Sequence, residues 1–153
     1  MAIKISPADL SDSRIRQLLD THTRRALSNA RCREGHALNL DALHGLDIDV
    51  RSIWLGGQPV AVGALRRIDA DHGELKSMFV ADAARGRGLG QELLDHLIEF
   101  AREQGISRLS LETGTSDYFD TARALYARNG FEPCEAFADL PPHDDSVFMT
   151  RAI

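Results

Sequence analysis

One segment constrains this chain more than any other: Val80-Ala-Asp-Ala-Ala-Arg85-Gly-Arg-Gly-Leu-Gly-Gln91. It joins an apolar run, Glu74 to Val80, to a stripe of Leu89, Leu93, Leu94, Leu97, Ile98 and Ala101 at helical spacing. Gly105 ends that stripe as a natural C′ residue. A strand that enters a helix through three alternating glycines exposes its backbone to whatever lies above the turn. The first turn of the helix adds unpaired N–H groups and a partial positive charge. Together they predict a site for phosphate or pyrophosphate, with Arg85 and Arg87 supplying charge-assisted hydrogen bonds. A tight turn with two solvated arginines is the simpler account. Strand, glycines, arginines and helix in one place favour the anion site.

The remaining pattern alternates strands and helices. Ile3 to Ile5 reads as an opening strand, and Ile15, Leu18, Leu19, His22 and Ala26 recur at helical spacing behind the caps Ser11-Asp12-Ser13. Residues 31 to 49 read as loop with one short helix at Leu38 to Leu43. Two apolar runs flank Gly56-Gly57-Gln58-Pro59 as a hairpin, and a turn at Asp69 to Gly73 leads into the strand Glu74 to Val80. Ser107 to Thr113 is a further strand. A helix from about Thr121, capped by Asp120 or Thr121, runs to Asn129-Gly130, and Ser146 to Thr150 closes the chain as a strand. This order predicts an α/β fold: a single mixed, largely antiparallel sheet flanked by helices, with residues 1 to 153 forming one domain.

Composition removes several classes. A net charge of −5 argues against nucleic-acid binding, which calls for a basic patch. No apolar run approaches a membrane span, and the N-terminus has no signal-peptide stretch. Cys32 and Cys134 are isolated thiols, so a reducing, cytoplasmic setting is expected.

Other phosphate motifs fit the glycine turn poorly. A P-loop fails because no Gly-Lys-Ser/Thr follows. The dinucleotide fingerprint fails at its sixth position, which is Gln91 counted from Gly86 and Leu93 counted from Gly88. NAD binding is therefore the weaker choice, although Glu112 stands where such folds place a ribose-binding acid.

The pattern Arg85-x-x-Gly88-x-Gly90 resembles the pyrophosphate-binding motif of the GNAT superfamily of acyl-CoA-dependent N-acetyltransferases. Glu74 to Val80 resembles that family's central strand, and Leu125-Tyr126 with Gly130-Phe131 resembles its late Leu-Tyr-x-x-x-Gly-Phe signature. The likeness covers residues 51 to 131. It implies acetyl-CoA as acyl donor, no metal, and a small-molecule or amino-acid-like amine as acceptor, with a homodimer left open. It also implies that the segment Arg85, Gly86, Arg87, Gly88, Leu89, Gly90, Gln91 holds the pyrophosphate, through the amides of Arg87, Gly88, Gly90 and Gln91. Met78, Phe79 and Val80 would line the pantetheine arm, with the Val80 amide facing the oxyanion. The family often has Asn where this chain has Phe119, which removes that contact.

Acetyl transfer to an amine needs a neutral nucleophile, and an ammonium of pKa ~10.4 carries a handicap of roughly 4.6 kcal/mol at pH 7. A general base recovers much of it. Glu74 is the first candidate, with Glu112 in reserve. Period-two spacing puts Glu74 on a face with Lys76, Met78 and Val80, and a solvated strand-end glutamate paired with Lys76 is an equal reading. Tyr126 is the candidate acid for the departing thiolate, with Leu125 and Ala122 facing the core and Tyr126 turned aside; a tyrosine packed under the sheet is the alternative. A non-catalytic acyl-CoA-binding module is the second function reading. Asp139, Asp144 and Asp145 would suit a cationic acceptor, although a solvated acidic loop is the better account of them. His72-Gly-Glu74 with Pro133-Cys134 superficially matches zinc deaminases, but Phe137 stands where their second Cys is required. A Cys134–His143 nucleophile pair lacks any activating group.

Overall fold

A computed structural model of the protein describes residues 2–29, 47–138 and 140–153. The short helix expected at Leu38 to Leu43, and the residues Cys32 and Asp139, lie outside them. The elements run β1 (Ile3–Pro7), α1 (Ser13–Asn29), β2 (Ile48–Leu55), β3 (Gln58–Arg67), β4 (His72–Val80), α2 (Leu89–Glu103), β5 (Arg108–Gly114), α3 (Asp120–Arg128), β6 (Glu132–Cys134) and β7 (Ser146–Ala152). They form a seven-stranded sheet in the order β1-β2-β3-β4-β5-β7-β6. Every pairing is antiparallel except β4 with β5. The expected α/β fold with a mixed, largely antiparallel sheet is present; β6, only three residues long, carries too little pattern to be read from sequence.

The two faces of the sheet bury different helices. α2 sets Leu93, Leu94, Leu97 and Ala101 against Leu65, Leu75, Leu109 and Leu111. At roughly 1.5–3 kcal/mol for each fully buried large side chain, this stripe is the main anchor of the fold. On the opposite face α1 packs Ile15 and Leu19 against Val62, Ala64 and Phe79. The Asp12 side chain caps α1 by accepting from the Arg14 amide at 2.9 Å, as the cap cluster predicts. α3 differs from expectation at its start: Phe119 is its N-cap, with no side-chain cap from Asp120 or Thr121. A preceding 3₁₀ turn, Asp117–Phe119, leads the chain into the helix instead.

Two irregularities open the sheet. β4 and β5 pair only from His72–Leu75 to Arg108–Leu111, and beyond that point each strand keeps only its outer neighbour. The strands therefore part, and a cleft opens along the second half of β4. Beside it the register of β3 against β4 slips. Ala64 faces Lys76 but Val62 faces Phe79, so β4 carries one extra residue. Ser77 takes up the extra length with a left-handed φ of 56°. Opposite, Gly63 leaves room that no side chain could share: a Cβ there would meet Met78 Sδ at 2.6 Å and Leu93 Cδ2 at 2.9 Å.

The bulge corrects one expectation. Lys76 and Phe79 lie opposite Ala64 and Val62 on the α1 face. Met78 and Val80 pack into the α2 core with Leu75. Strict alternation puts Met78 and Val80 beside Glu74 and Lys76; one inserted residue reverses the parity, and Phe79 takes that side instead.

Candidate active site

The parted strands border a cavity of about 570 Å³. Its floor is β4 from Glu74 to Val80, and one end is the glycine turn. Its walls are Glu112 and Thr113 of β5, Tyr118 and Phe119, one side of α3 including Tyr126, and His22 of α1. Arg85, Gly86, Gly88, Leu89, Gly90 and Gln91 line it, whereas the Arg87 side chain does not.

At the turn, Gly86 and Gly88 have φ of 78° and 75°, a region that a Cβ disfavours, and Gly88 is the N-cap of α2. The first amide donating into the helix is that of Glu92, to Gly88 at 3.1 Å. Among the described residues, the amides of Gly86, Arg87, Gly88, Leu89, Gly90 and Gln91 donate to no acceptor. A run of unpaired N–H groups at the positive end of a helix, facing a cavity, has the geometry that suits an anion. Gly90 sharpens the point. It lies inside α2 without a positive φ, and a Cβ there would meet only Leu125 Cδ2 at an ordinary 3.5 Å. Neither backbone conformation nor packing requires glycine here. Arg85 is steadied by its Nε bond to the Val80 carbonyl at 3.3 Å. Arg25 of α1 grips Asp82, just before the turn, through two bonds of 2.8 Å.

Behind the turn, Gln91 and Asn129 exchange side-chain amide bonds of 2.8 and 2.9 Å. Asn129 also donates to the Leu125 carbonyl at 2.7 Å. This clasp holds the end of α3 against the start of α2. Asn129 reads in the sequence only as a helix-ending residue, because its partner lies 38 positions away.

Glu74 is 1% exposed. Arg66 Nε donates to its Oε1 at 2.8 Å and Lys76 Nζ to its Oε2 at 3.0 Å. The pairing with Lys76 that strand spacing allows is thus formed, and Arg66 joins it from β3. The two cations offset the cost of burying the carboxylate. Glu112 accepts from Ser146 Oγ at 2.6 Å on the other side of the cleft. The two candidate bases therefore line one cavity.

Tyr126 also lines it, but its setting corrects the sequence expectation. It is the buried residue of α3, while Leu125 and Ala122 are partly exposed. Its ring meets Phe131 edge-on with centroids 5.8 Å apart. Burial raises its phenol pKa, so the hydroxyl keeps its proton throughout the physiological range. No hydrogen bond among the described residues occupies its Oη. Phe119, at the family's usual Asn position, is buried, with Gly114 close against its ring.

Among the cavity residues, Ser77 and His22 escaped the sequence reading. Ser77 looks like any strand residue until the bulge is seen. Tyr118 meets the Phe119 ring edge-on at 4.9 Å. His22, read as part of an apolar stripe, lies against Phe79 with ring centroids 5.6 Å apart. Desolvation lowers its pKa to about 4, so the imidazole is neutral at pH 7.

Other candidates disperse. His72 Nε2 contacts Ser110 Oγ at 2.7 Å, and no metal-holding cluster occurs among the described residues. Asp145 is buried and paired with His143, so that histidine does not activate Cys134. Burial raises the Cys134 pKa, which makes it a poor nucleophile. No helix among the described residues is long and apolar enough to cross a membrane.

The sheet parted beside a strand bulge, with a glycine turn at the cleft's end, has the fold of an acyl-CoA N-acyltransferase. A putative acyl-CoA N-acyltransferase from Klebsiella pneumoniae superposes with a TM-score of 0.80 at 27% identity, covering 98% of this chain and 97% of that one. A GNAT family acetyltransferase from Elizabethkingia anophelis with acetyl-CoA bound shares the fold, with a TM-score of 0.71, 20% identity and coverage of 99% and 98%. In sequence, the N-acetyltransferase YsnE of Bacillus subtilis is 39% identical over 153 residues, the whole of both chains. Residues 16–131 match the model of the acetyltransferase (GNAT) family. The chain belongs to the GNAT family of N-acetyltransferases.

Proposed function

We propose that this enzyme transfers an acetyl group from acetyl-CoA to the primary amine of a small-molecule or amino-acid-like acceptor by direct attack. The observation that carries the reading is the set of unpaired amides from Gly86 to Gln91, supported by a glycine at position 90 that neither packing nor backbone conformation requires. In this reading those amides and Arg85 bind the pyrophosphate. The backbone of Met78, Phe79 and Val80, left without a neighbour where β4 parts from β5, lines the arm that follows.

The donor, when bound, supplies an activated acyl carbonyl and a thiolate leaving group. Glu74 takes the proton of the acceptor amine at a carboxylate oxygen; its place on the cavity wall supports the role. Glu112 takes that role if the acceptor enters from the β5 side. Tyr126 donates its Oη proton to the leaving sulfur, a role supported by a buried hydroxyl that stays protonated. The Val80 amide is assigned to the developing oxyanion. A cavity of about 570 Å³ lined by both charge signs suits a small polar acceptor beside the donor's arm.

The test is turnover of acetyl-CoA, read as free thiol, across amines, amino acids and short peptides. Release of thiol with an acceptor, reduced strongly by Glu74→Gln or by Glu112→Gln but not equally by both, supports the assignment and selects the base. Failure of CoA and acetyl-CoA to bind at millimolar concentration refutes it. Tight binding without turnover of any acceptor favours the non-catalytic acyl-CoA-binding module.

A further inference from the structure

Lys76 places a nearly buried cation on the cavity wall. Its side chain is 9% exposed, and Nζ donates to Glu74 Oε2 at 3.0 Å. An ammonium has three donors, and among the described residues Glu74 is the single partner of this one. A charged donor largely withdrawn from water without a full set of acceptors is unfavourable, and such an exception calls for a reason. Arg66 Nε holds the other oxygen of Glu74 at 2.8 Å, so two cations share one carboxylate. The group stays cationic whether or not Glu74 takes a proton, in a chain whose net charge is −5. The parting strands fix where this charge stands. Glu74 faces Ser110 and Leu75 faces Leu111; the next rung, Lys76 against Glu112, is the first that does not pair. Leu75 and Leu111 belong to the α2 core, so alternation puts Lys76 and Glu112 on the other face of the sheet. Both line the cavity, on opposite rims of the cleft, and no ion pair among the described residues joins them.

We propose that the acceptor carries a carboxylate besides its amine, and that Lys76 Nζ binds this carboxylate at the first open rung of the cleft. The proposal rests on the acetyl-transfer reading and names its substrate class, an amino carboxylate such as a free amino acid. The amine of that acceptor turns towards Glu112 on the other rim, since Glu74 already accepts from two cations. Such a molecule matches the cavity charge for charge. A simple amine would leave the spare donors of Lys76 unanswered, and a diamine would set a further positive charge against the Arg66 and Lys76 pair. Lys76 is thus a specificity-determining residue.

The test uses the full chain and acceptors in pairs, each standard amino acid beside its carboxamide, with saturating acetyl-CoA and release of thiol as the readout. Wild type should prefer the acid of the best pair in kcat/KM. Lys76→Met, similar in length but uncharged, should lower kcat/KM for that acid by about 10- to 150-fold more than for its amide, the worth of one hydrogen bond to a charged group. The loss should fall chiefly on KM. Comparing two enzymes on one pair cancels the difference in amine pKa between acid and amide. Lys76→Arg, which keeps the charge, should keep the preference. Melting temperature and Kd for CoA confirm that each variant is folded; if Lys76→Met is not, the acid-to-amide ratios of wild type and Lys76→Arg decide. Amides used as well as acids by wild type, or an equal loss for acid and amide in Lys76→Met, overturns the proposal. Thiol release with amines that lack a carboxylate, but not with amino acids, overturns it and leaves acetyl transfer standing. No release with any acceptor overturns the transfer reading as well, so the two failures are distinct.

Discussion

Replacing Gly90 with alanine should move stability and binding in opposite directions. Gly90 is in the first turn of α2 with ordinary helical backbone, and a Cβ would find only Leu125 Cδ2, at 3.5 Å. Glycine inside a helix costs about 0.5–1 kcal/mol relative to alanine. For a chain of this length each kcal/mol is worth about 2–4 °C in Tm, so the ligand-free variant should melt about 1–4 °C higher. Binding should suffer because the new methyl lies where a phosphate oxygen must come within about 3 Å of the amides. Losing one hydrogen bond to a charged group forfeits about 1.5–3 kcal/mol, or roughly 10- to 150-fold in Kd. Thermal melts followed by circular dichroism and calorimetric titration with CoA give the two numbers. Unchanged CoA affinity would show that the phosphate does not approach this turn. A lowered Tm would show that glycine is there for packing.

The bulge, the acid and the half-buried histidine make further predictions. Gly63→Ala should lower stability by about 1–3 kcal/mol, the usual cost of overpacking, because its Cβ would meet Met78 Sδ at 2.6 Å; a melt within a degree of wild type would contradict the close approach of β3 and β4. Tyr126→Phe should cut kcat by roughly 10²–10⁴-fold and leave Tm nearly unchanged, since the hydroxyl has no partner to lose; an unaffected rate at saturating acceptor removes Tyr126 from the mechanism. His22 has its folded pKa lowered to about 4, so the unfolded chain binds the extra proton first. Its contribution is complete above pH 6.5 and is lost as pH falls towards 4, by up to about 3 kcal/mol. Urea titrations between pH 7 and 4 should show that loss in wild type and a smaller one in His22→Leu; equal slopes would refute it.

The glycine turn, the Leu stripe of α2, the 56–59 hairpin and the strands on either side were legible in the sequence because each is governed by neighbours a few residues apart. Helical spacing, turn chemistry and alternation are short-range rules, and Gly86, Gly88 and Gly90 satisfy several at once. The resemblance in residues 51 to 131 pointed to the same fold and family. The bulge at Ser77 was not legible, since a single inserted residue depends on which β3 residue it faces, and it reversed the parity of Met78, Phe79 and Val80. Tyr126 was misplaced for a related reason: a nine-residue helix with a weak apolar stripe turns towards whatever surface it meets, here Phe131 and the cleft.

Residues 85 to 91 by themselves therefore determined a glycine turn at a helix start with a run of unpaired amides, because glycine geometry and an unpaired N–H run are properties of local backbone. Only the tertiary structure decided what stands around that turn. The parting of β4 from β5, the burial of Glu74 between Arg66 and Lys76, and the Gln91–Asn129 clasp each join residues by long-range pairing. Such pairing is settled by the packing of the whole sheet, which no local window of sequence contains.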